Sequence, residues 1–281
     1  MKRLRPLLLV LTLVVVVFLF YYRRENAVHV ETVSLQSVLT NRSLPYKVIL
    51  PRWYGVPGSR ARYPVLYLLH GHGSDYTSWI ANTSLTDYVY DSNLIVVTPE
   101  GGEGWYTDSA TVDADKFETF IVKELIPDVE NRFRVVPERS GRGIAGYSMG
   151  GYGALKFALK YPQLFAFAGS LSGAFDAPKR TDNASIMKSF GPVNSSTREA
   201  NDLERLAAVV GPSALPRMYF DCGTNDPWLS ANRRLHADFQ RLGINHEYRE
   251  LPGTHDWAYW NRQIRELLPR AAAAMTSSRS D

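Results

Sequence analysis

The chain is poor in the residues that hold metals and build redox pairs. Of its 281 residues one is cysteine, Cys222, and six are histidine. No intramolecular disulfide, CxxC pair or zinc ribbon can be formed from a single thiol. A strong excess of one charge sign is missing too. The formal net charge is +4, and Lys2, Arg3, Arg5, Arg23 and Arg24 all flank one apolar run near the N-terminus. Without them the body is close to neutral, so nothing in the charge balance argues for nucleic acid as a partner. Internal repeats, low-complexity stretches and a dividing linker are also absent, which leaves one large domain as the expectation for the body.

One long hydrophobic run is present. "PLLLVLTLVVVVFLFYY" extends from Pro6 to Tyr22 without a charge, after "MKRLR" and before two arginines. A spanning helix takes about 17 to 25 apolar residues, so this run is short but sufficient. A cleaved signal peptide shares the basic start and apolar core. Here the run ends in Phe20, Tyr21 and Tyr22 rather than in small residues, which suits an uncleaved anchor with interfacial aromatics. The expectation is one N-terminal hydrophobic helix within residues 1–24, membrane anchor or signal. The body at 30–275 is then exported, anchored outside the cytoplasm or secreted if the segment is cleaved.

Beyond residue 25, short apolar runs alternate with helical patterns. "YKVILP" (46–51), "PVLYLLHG" (64–71), "NLIVVTPEG" (93–101), "FAFAGSLSG" (165–173), "RMYFDCG" (217–223) and "HEYREL" (246–251) read as strands. Phe117, Phe120, Ile121, Leu125, Val129 and Phe133 recur near a 3.6-residue period, so 114–133 reads as an amphipathic helix. Further helices are expected over 152–162, 229–242 and 256–274. Apolar strands alternating with helices imply an α/β fold with a mostly parallel sheet covered on both faces. Ligands in such folds bind outside the carboxyl ends of the strands.

The stretch "GYSMG" (146–150) lies where an apolar strand gives way to a helix. That strand–turn–helix setting is what G-x-S-x-G requires to expose a reactive serine, Ser148. Gly146 and Gly150 remove side chains that would collide in the tight turn, and the helix beginning at Met149 directs unpaired amides at the same spot. A serine nucleophile needs a base, and the base needs an orienting carboxylate. Asp226 follows the strand 217–223 and His255 follows the strand 246–251, in the chain order Ser, Asp, His. Asp221 is a second candidate acid. His236 falls in a helix and His246 at a strand start, where surface positions are expected. Asp256 suits a helix N-cap.

"LLHGHG…SW", "RGIAGYSMGGYGAL", "FAGSLSG", "DCGTNDPW" and "LPGTHDWAYW" together resemble the esterase D family over residues 30 to 275. That family holds S-formylglutathione hydrolases, feruloyl and acetylxylan esterases and mycolyltransferases of the antigen 85 type. The resemblance implies an α/β-hydrolase fold with Ser148 as nucleophile, Asp226 as acid and His255 as base. It also implies an oxyanion hole from the backbone amides of Met149 and His72, the latter following the strand-end Gly71. No metal or organic cofactor is implied. The substrate is expected to be a small-molecule, polysaccharide or lipid ester. Trp105, Tyr106, Trp228 and Trp257 are candidates for the substrate pocket, and 174–215, long for a connection, is expected to carry short helices as a cap.

Three rivals remain at this stage. An acyltransferase would use the same serine with a sugar hydroxyl in place of water. A metal-dependent hydrolase would use His70, His72 and Asp75, with Asp226 or His255 completing the shell, but the aspartate stands one place late for H-x-H-x-D-H, and Tyr76 replaces the histidine that should follow it. An exported binding protein would show a broken triad, and no position is missing. On these grounds His70 is expected as a partly buried residue at a strand end.

Overall fold

The computed structural model describes residues 29–277, so the apolar run at 6–22 and its expected helix lie outside the described residues. Eight strands form: β1 (His29–Ser37), β2 (Arg42–Leu50), β3 (Val65–Leu69), β4 (Ile95–Pro99), β5 (Arg142–Tyr147), β6 (Phe167–Leu171), β7 (Arg217–Gly223) and β8 (His246–Leu251). The helices in the first half are α1 (Ser78–Asn82), α2 (Leu85–Tyr90), α3 (Phe117–Phe120) and α4 (Ile126–Arg132), the last two joined by a π-helical turn at Ile121–Leu125. After them come α5 (Met149–Lys160), α6 (Ala184–Phe190), α7 (Ser196–Glu199), α8 (Leu203–Val209), α9 (Leu229–Arg241) and α10 (Trp257–Ser277).

The strands pair in one sheet of order β1-β2-β4-β3-β5-β6-β7-β8. β1 and β2 are antiparallel to each other, β2 is antiparallel to β4, and every later pairing is parallel. Every residue of β3, β4 and β6 is buried, as a strand covered on both faces demands. On one face α1, α2 and α10 pack Trp79, Leu85, Val89, Ile264 and Leu267 against Leu66, Leu68 and Val96. The other face carries α3, α4, α5, α8 and α9, with Phe120, Leu155, Leu203 and Leu235 meeting Val65, Tyr67 and Ile144. Trp79 is wholly buried, and its indole N–H donates to the Leu69 carbonyl at 3.0 Å, which ties α1 to the end of β3.

β1 is the strand that the apolar-run reading does not contain. Its sequence, HVETVSLQS, leaves alternate residues in solvent, because an edge strand covered on one side carries no continuous apolar signal. The parallel strands all end at one edge of the sheet. Ser148, Asp226, His255 and His72 each follow a strand there, after β5, β7, β8 and β3 respectively. Residues 174–215 contain α6, α7 and α8 with short 3-10 turns between β6 and β7. Among the described residues no helix is long and apolar enough to cross a membrane.

Candidate active site

Ser148 sits between β5 and α5 at φ 54° and ψ −118°, outside the regions a serine ordinarily occupies. Such a conformation costs about 1–3 kcal/mol and persists only when its surroundings enforce it. The enforcement is visible. The Ser148 N–H donates to Leu171 O at 3.0 Å, and its carbonyl accepts from Tyr152 N at 3.0 Å and Ala174 N at 3.1 Å. A Cβ at Gly146 would stand 2.5 Å from the Gly150 carbonyl carbon, and one at Gly150 would stand 2.5 Å from Leu69 O. Both glycines therefore permit α5 to begin directly against β3 and β5. Ser148 precedes α5, so the amide of Met149 is one of the helix's unpaired first donors.

His255 Nε2 lies 3.0 Å from Ser148 Oγ, and His255 Nδ1 lies 2.9 Å from Asp226 Oδ2. The Asp226 side chain is fully removed from solvent, and its Oδ1 accepts from the Trp228 N–H at 2.8 Å. An ionised carboxylate only accepts, so the imidazole proton belongs on Nδ1 and the Nε2 lone pair faces the serine hydroxyl. Trp260 stands edge-on to the imidazole at 4.9 Å and limits its rotation. Asp221, the other candidate acid, is engaged elsewhere. Its oxygens accept from the hydroxyls of Tyr219 and Tyr259, each at 2.7 Å. Burial pushes its carboxyl up to about 7, against the opposing effect of those two donors.

After β3 the chain passes against Tyr147, whose ring a Cβ at Gly71 would strike, and turns at Gly73 with φ +72°. His70 is 1% exposed, more buried than its strand-end position suggests. Its Nδ1 faces Gly71 O at 2.8 Å, and its Nε2 accepts from Gly101 N at 3.0 Å. His72 turns the other way, with Nε2 2.9 Å from Ser185 Oγ. Asp75 Oδ1 accepts from the amide and hydroxyl of Thr77 at 2.7 and 2.6 Å. The three side chains of the metal alternative are thus committed to three different partners. Among the described residues no group of three or more His, Cys, Asp or Glu side chains is placed to hold a metal ion.

The aromatic candidates divide. Trp105 and Tyr106 are both buried and both at positive φ, 54° and 51°. Trp105 Nε1 donates to Ser185 Oγ at 3.0 Å. The Tyr106 hydroxyl accepts from His70 N at 2.9 Å and donates to His70 O at 3.1 Å, so this residue supports the loop from beneath rather than facing a pocket. Trp257 packs among Trp79, Tyr147 and Trp260. Trp228 is half-buried under the Arg180 guanidinium at 4.8 Å.

Two supporting residues carry no signal in the sequence. Ser185 is one. Lys156 is the other, a lysine with no solvent exposure, whose ammonium reaches Glu118 at 2.7 Å, Thr107 Oγ1 at 2.9 Å and the Tyr106 carbonyl. Glu118 also meets Lys160 at 2.5 Å and the Tyr161 hydroxyl at 2.7 Å. Burial alone would raise the Glu118 carboxyl, but Lys156 and Lys160 outweigh it and hold the group down at about 2. This buried ion group braces the strained backbone at Trp105 and Tyr106.

The family model described as "Putative esterase" matches residues 37–271. The chain belongs to that esterase family. An esterase of Mycobacterium tuberculosis (strain ATCC 25618 / H37Rv) is 33% identical over 245 residues, 74% of this chain and 51% of that protein. The chain thus spans about half the length of that curated relative. A diacylglycerol acyltransferase/mycolyltransferase Ag85B of Mycobacterium intracellulare is 27% identical over 257 residues, 76% of each chain. Among solved structures, the substrate-bound fluorophosphonate-binding serine hydrolase F of Staphylococcus aureus aligns with TM-score 0.79 and 26% identity, covering 87% of this chain and 98% of that one. The eight-stranded, mostly parallel sheet of the chain is of the α/β-hydrolase type.

Proposed function

We propose that this esterase-family chain is a serine carboxylic-ester hydrolase working through an acyl-enzyme on Ser148. The observation that carries the reading is the unbroken series Asp226–His255–Ser148, at 2.9 and 3.0 Å, on a strained turn at a helix start. His255 Nε2 takes the hydroxyl proton as Ser148 Oγ attacks the ester carbonyl. Asp226 keeps the other imidazole proton on Nδ1 and stabilises the imidazolium that forms. The amides of Met149 and His72 receive the oxyanion, a donor of this kind contributing about 3–4 kcal/mol in the transition state. His255 then returns the proton to the leaving alcohol and activates water to release the acid. Each proton has a side chain to carry it, so the cycle calls for no cofactor.

Replacing the water by an alcohol gives the second reading, acyl transfer, which the relation to the mycolyltransferase favours. The two differ only in the acceptor that meets the acyl-enzyme, and product analysis with an added sugar acceptor separates them. Residues 1–24 serve as membrane anchor or export signal, with the catalytic body outside the cytoplasm. Residues 174–215 act as a cap, a role supported by the contact of Ser185 with His72. The test of the hydrolase reading is Ser148→Ala. It should lower kcat for p-nitrophenyl acetate by at least about 10⁴-fold without changing the circular dichroism melt. Near-native turnover by that variant would overturn the mechanism.

A further inference from the structure

The amino ends of the parallel strands, opposite Ser148, carry a second built surface. The connection from β2 to β3, residues 51–64, contains Arg52, Arg60 and Arg62 and no acidic residue. It leaves two large apolar side chains in solvent, Trp53 at 52% and Val56 at 43% exposed. The loop is held in place from within. The Arg134 guanidinium bonds the carbonyls of Tyr54 and Ser59, its amide donates to the Tyr54 hydroxyl at 2.9 Å, and the Tyr63 hydroxyl donates to Trp53 O at 2.9 Å. Arg52 lies 4.2 Å from the Trp53 ring centre and pairs with Asp91 at 3.2 Å. Trp53 and Val56 are therefore held outward among arginines. The connections entering β3, β4 and β5 contain two acids, Asp91 and Glu138. Those leaving β3 and β4 are acidic, with Asp75, Glu100, Glu103, Asp108, Asp113 and Asp115.

The chain reaches this surface from its apolar run. His29 pairs with Leu50 in the β1–β2 ladder, so the first described residue stands beside the start of the loop. Seven residue steps separate Tyr22 from His29, at most about 25 Å of extended chain. β1 then carries the backbone roughly 27–30 Å toward the catalytic end. If residues 6–22 sit in a bilayer, loop 51–64 lies within reach of the headgroups. Bringing the Ser148 end to the same surface would need more chain than the link supplies.

We propose that loop 51–64 docks on an anionic bilayer, and that the catalytic mouth faces away from it. Trp53 and Val56 enter the headgroup level, while Arg60 and the Asp91-paired Arg52 lie against lipid phosphates. Arg62 instead donates to the Val135 carbonyl at 2.9 Å and helps hold the loop. Esters then reach Ser148 from the side away from the membrane, not from acyl chains of the leaflet that holds the protein. The proposal rests on residues 6–22 being seated in the membrane and is independent of the hydrolase reading.

The test is amide hydrogen exchange on the full chain reconstituted into vesicles of phosphatidylcholine alone or with about 30 mol% phosphatidylglycerol, a content that gives a strongly negative surface. Residues 51–64 should exchange several-fold more slowly on the anionic vesicles, and high salt should remove the difference. The double variant Trp53→Ser/Val56→Ser should reduce the protection while turnover of a soluble ester stays unchanged. A Val38→Ser control, at the exposed hairpin of the other end, should keep it. Equal exchange of 51–64 on both vesicles, protection that survives the double variant, or slowing at 70–77 and 174–215 instead would overturn the proposal. Because exchange does not read activity, a failed hydrolase reading cannot be mistaken for a failed docking reading.

Discussion

His72 Nε2 and Ser185 Oγ meet at 2.9 Å across 113 residues of chain. The same hydroxyl lies 2.8 Å from Asn183 Oδ1 and 3.0 Å from Trp105 Nε1. A serine hydroxyl has one proton, and Asn183 Oδ1 can only accept it. Trp105 donates, so the His72 ring also donates, from a protonated Nε2. One side chain thus ties together the connection after β3, the connection after β4 and helix α6. The loop it fixes carries the backbone amide proposed as the second oxyanion donor.

Ser185→Ala should accordingly lower kcat by roughly 10-fold while KM moves less, because the lost contact positions a transition-state donor rather than the substrate. His72→Ala looks mild on the sequence alone, where only its backbone is assigned work. The structure gives the ring a partner, so its loss should resemble that of Ser185. The double variant should be no worse than either single one, and kcat values from the four-protein cycle check this.

Asp226→Asn should lower kcat by about 10³–10⁴-fold and leave the fold unchanged. The asparagine oxygen can still accept from the Trp228 N–H, whereas its amide would offer His255 Nδ1 a donor in place of an acceptor. The imidazole would then present a proton to Ser148 instead of a lone pair. Steady-state kinetics beside a thermal melt separate this from unfolding.

Asp221 makes stability depend on pH. Burial raises its folded-state carboxyl to about 7, far above the ordinary 3.8. The contribution of the neutral group is complete below the ordinary value and is lost as pH rises toward and through the raised one. The span corresponds to about 4 kcal/mol. Asp221→Asn should flatten the fall in denaturation midpoint between pH 5 and pH 8, taking pH 5 as about one unit above the ordinary value. A midpoint difference equal to wild type would remove Asp221 as the cause.

Lys156→Met should destabilise the fold by about 3–5 kcal/mol, because it strips a partner from the buried Glu118. The pair Lys156→Met/Glu118→Gln should recover part of that loss. Urea unfolding of the two variants provides the comparison.

Strands β3 to β7 are legible in the sequence because strands covered on both faces read as largely apolar runs, whereas β8, HEYREL at the sheet's edge, is marked only by its place between the helix at 229–242 and Pro252. β1 is not, since its alternation looks like loop until it pairs with β2. The order of Ser148, Asp226 and His255 along the chain is legible for a related reason: each stands just past a strand, buried in β5 and β7 and at the edge in β8. Other features depend on contacts made far along the chain. The full burial of His70, the turning of Tyr106 under the loop and the hub at Ser185 all require knowing which connections meet above the sheet. Lys156 carries no sign of burial in the sequence, because Glu118 and the Tyr106 carbonyl that receive its ammonium lie far along the chain.

The most direct test of the central claim is covalent labelling. Wild-type protein treated with an alkyl fluorophosphonate should gain one phosphonyl group, located by peptide mass spectrometry on Ser148, with loss of hydrolysis in proportion. Asp226→Asn should label far more slowly, and Ser148→Ala not at all. An adduct on any other residue, or full hydrolysis after complete labelling of Ser148, would contradict the account.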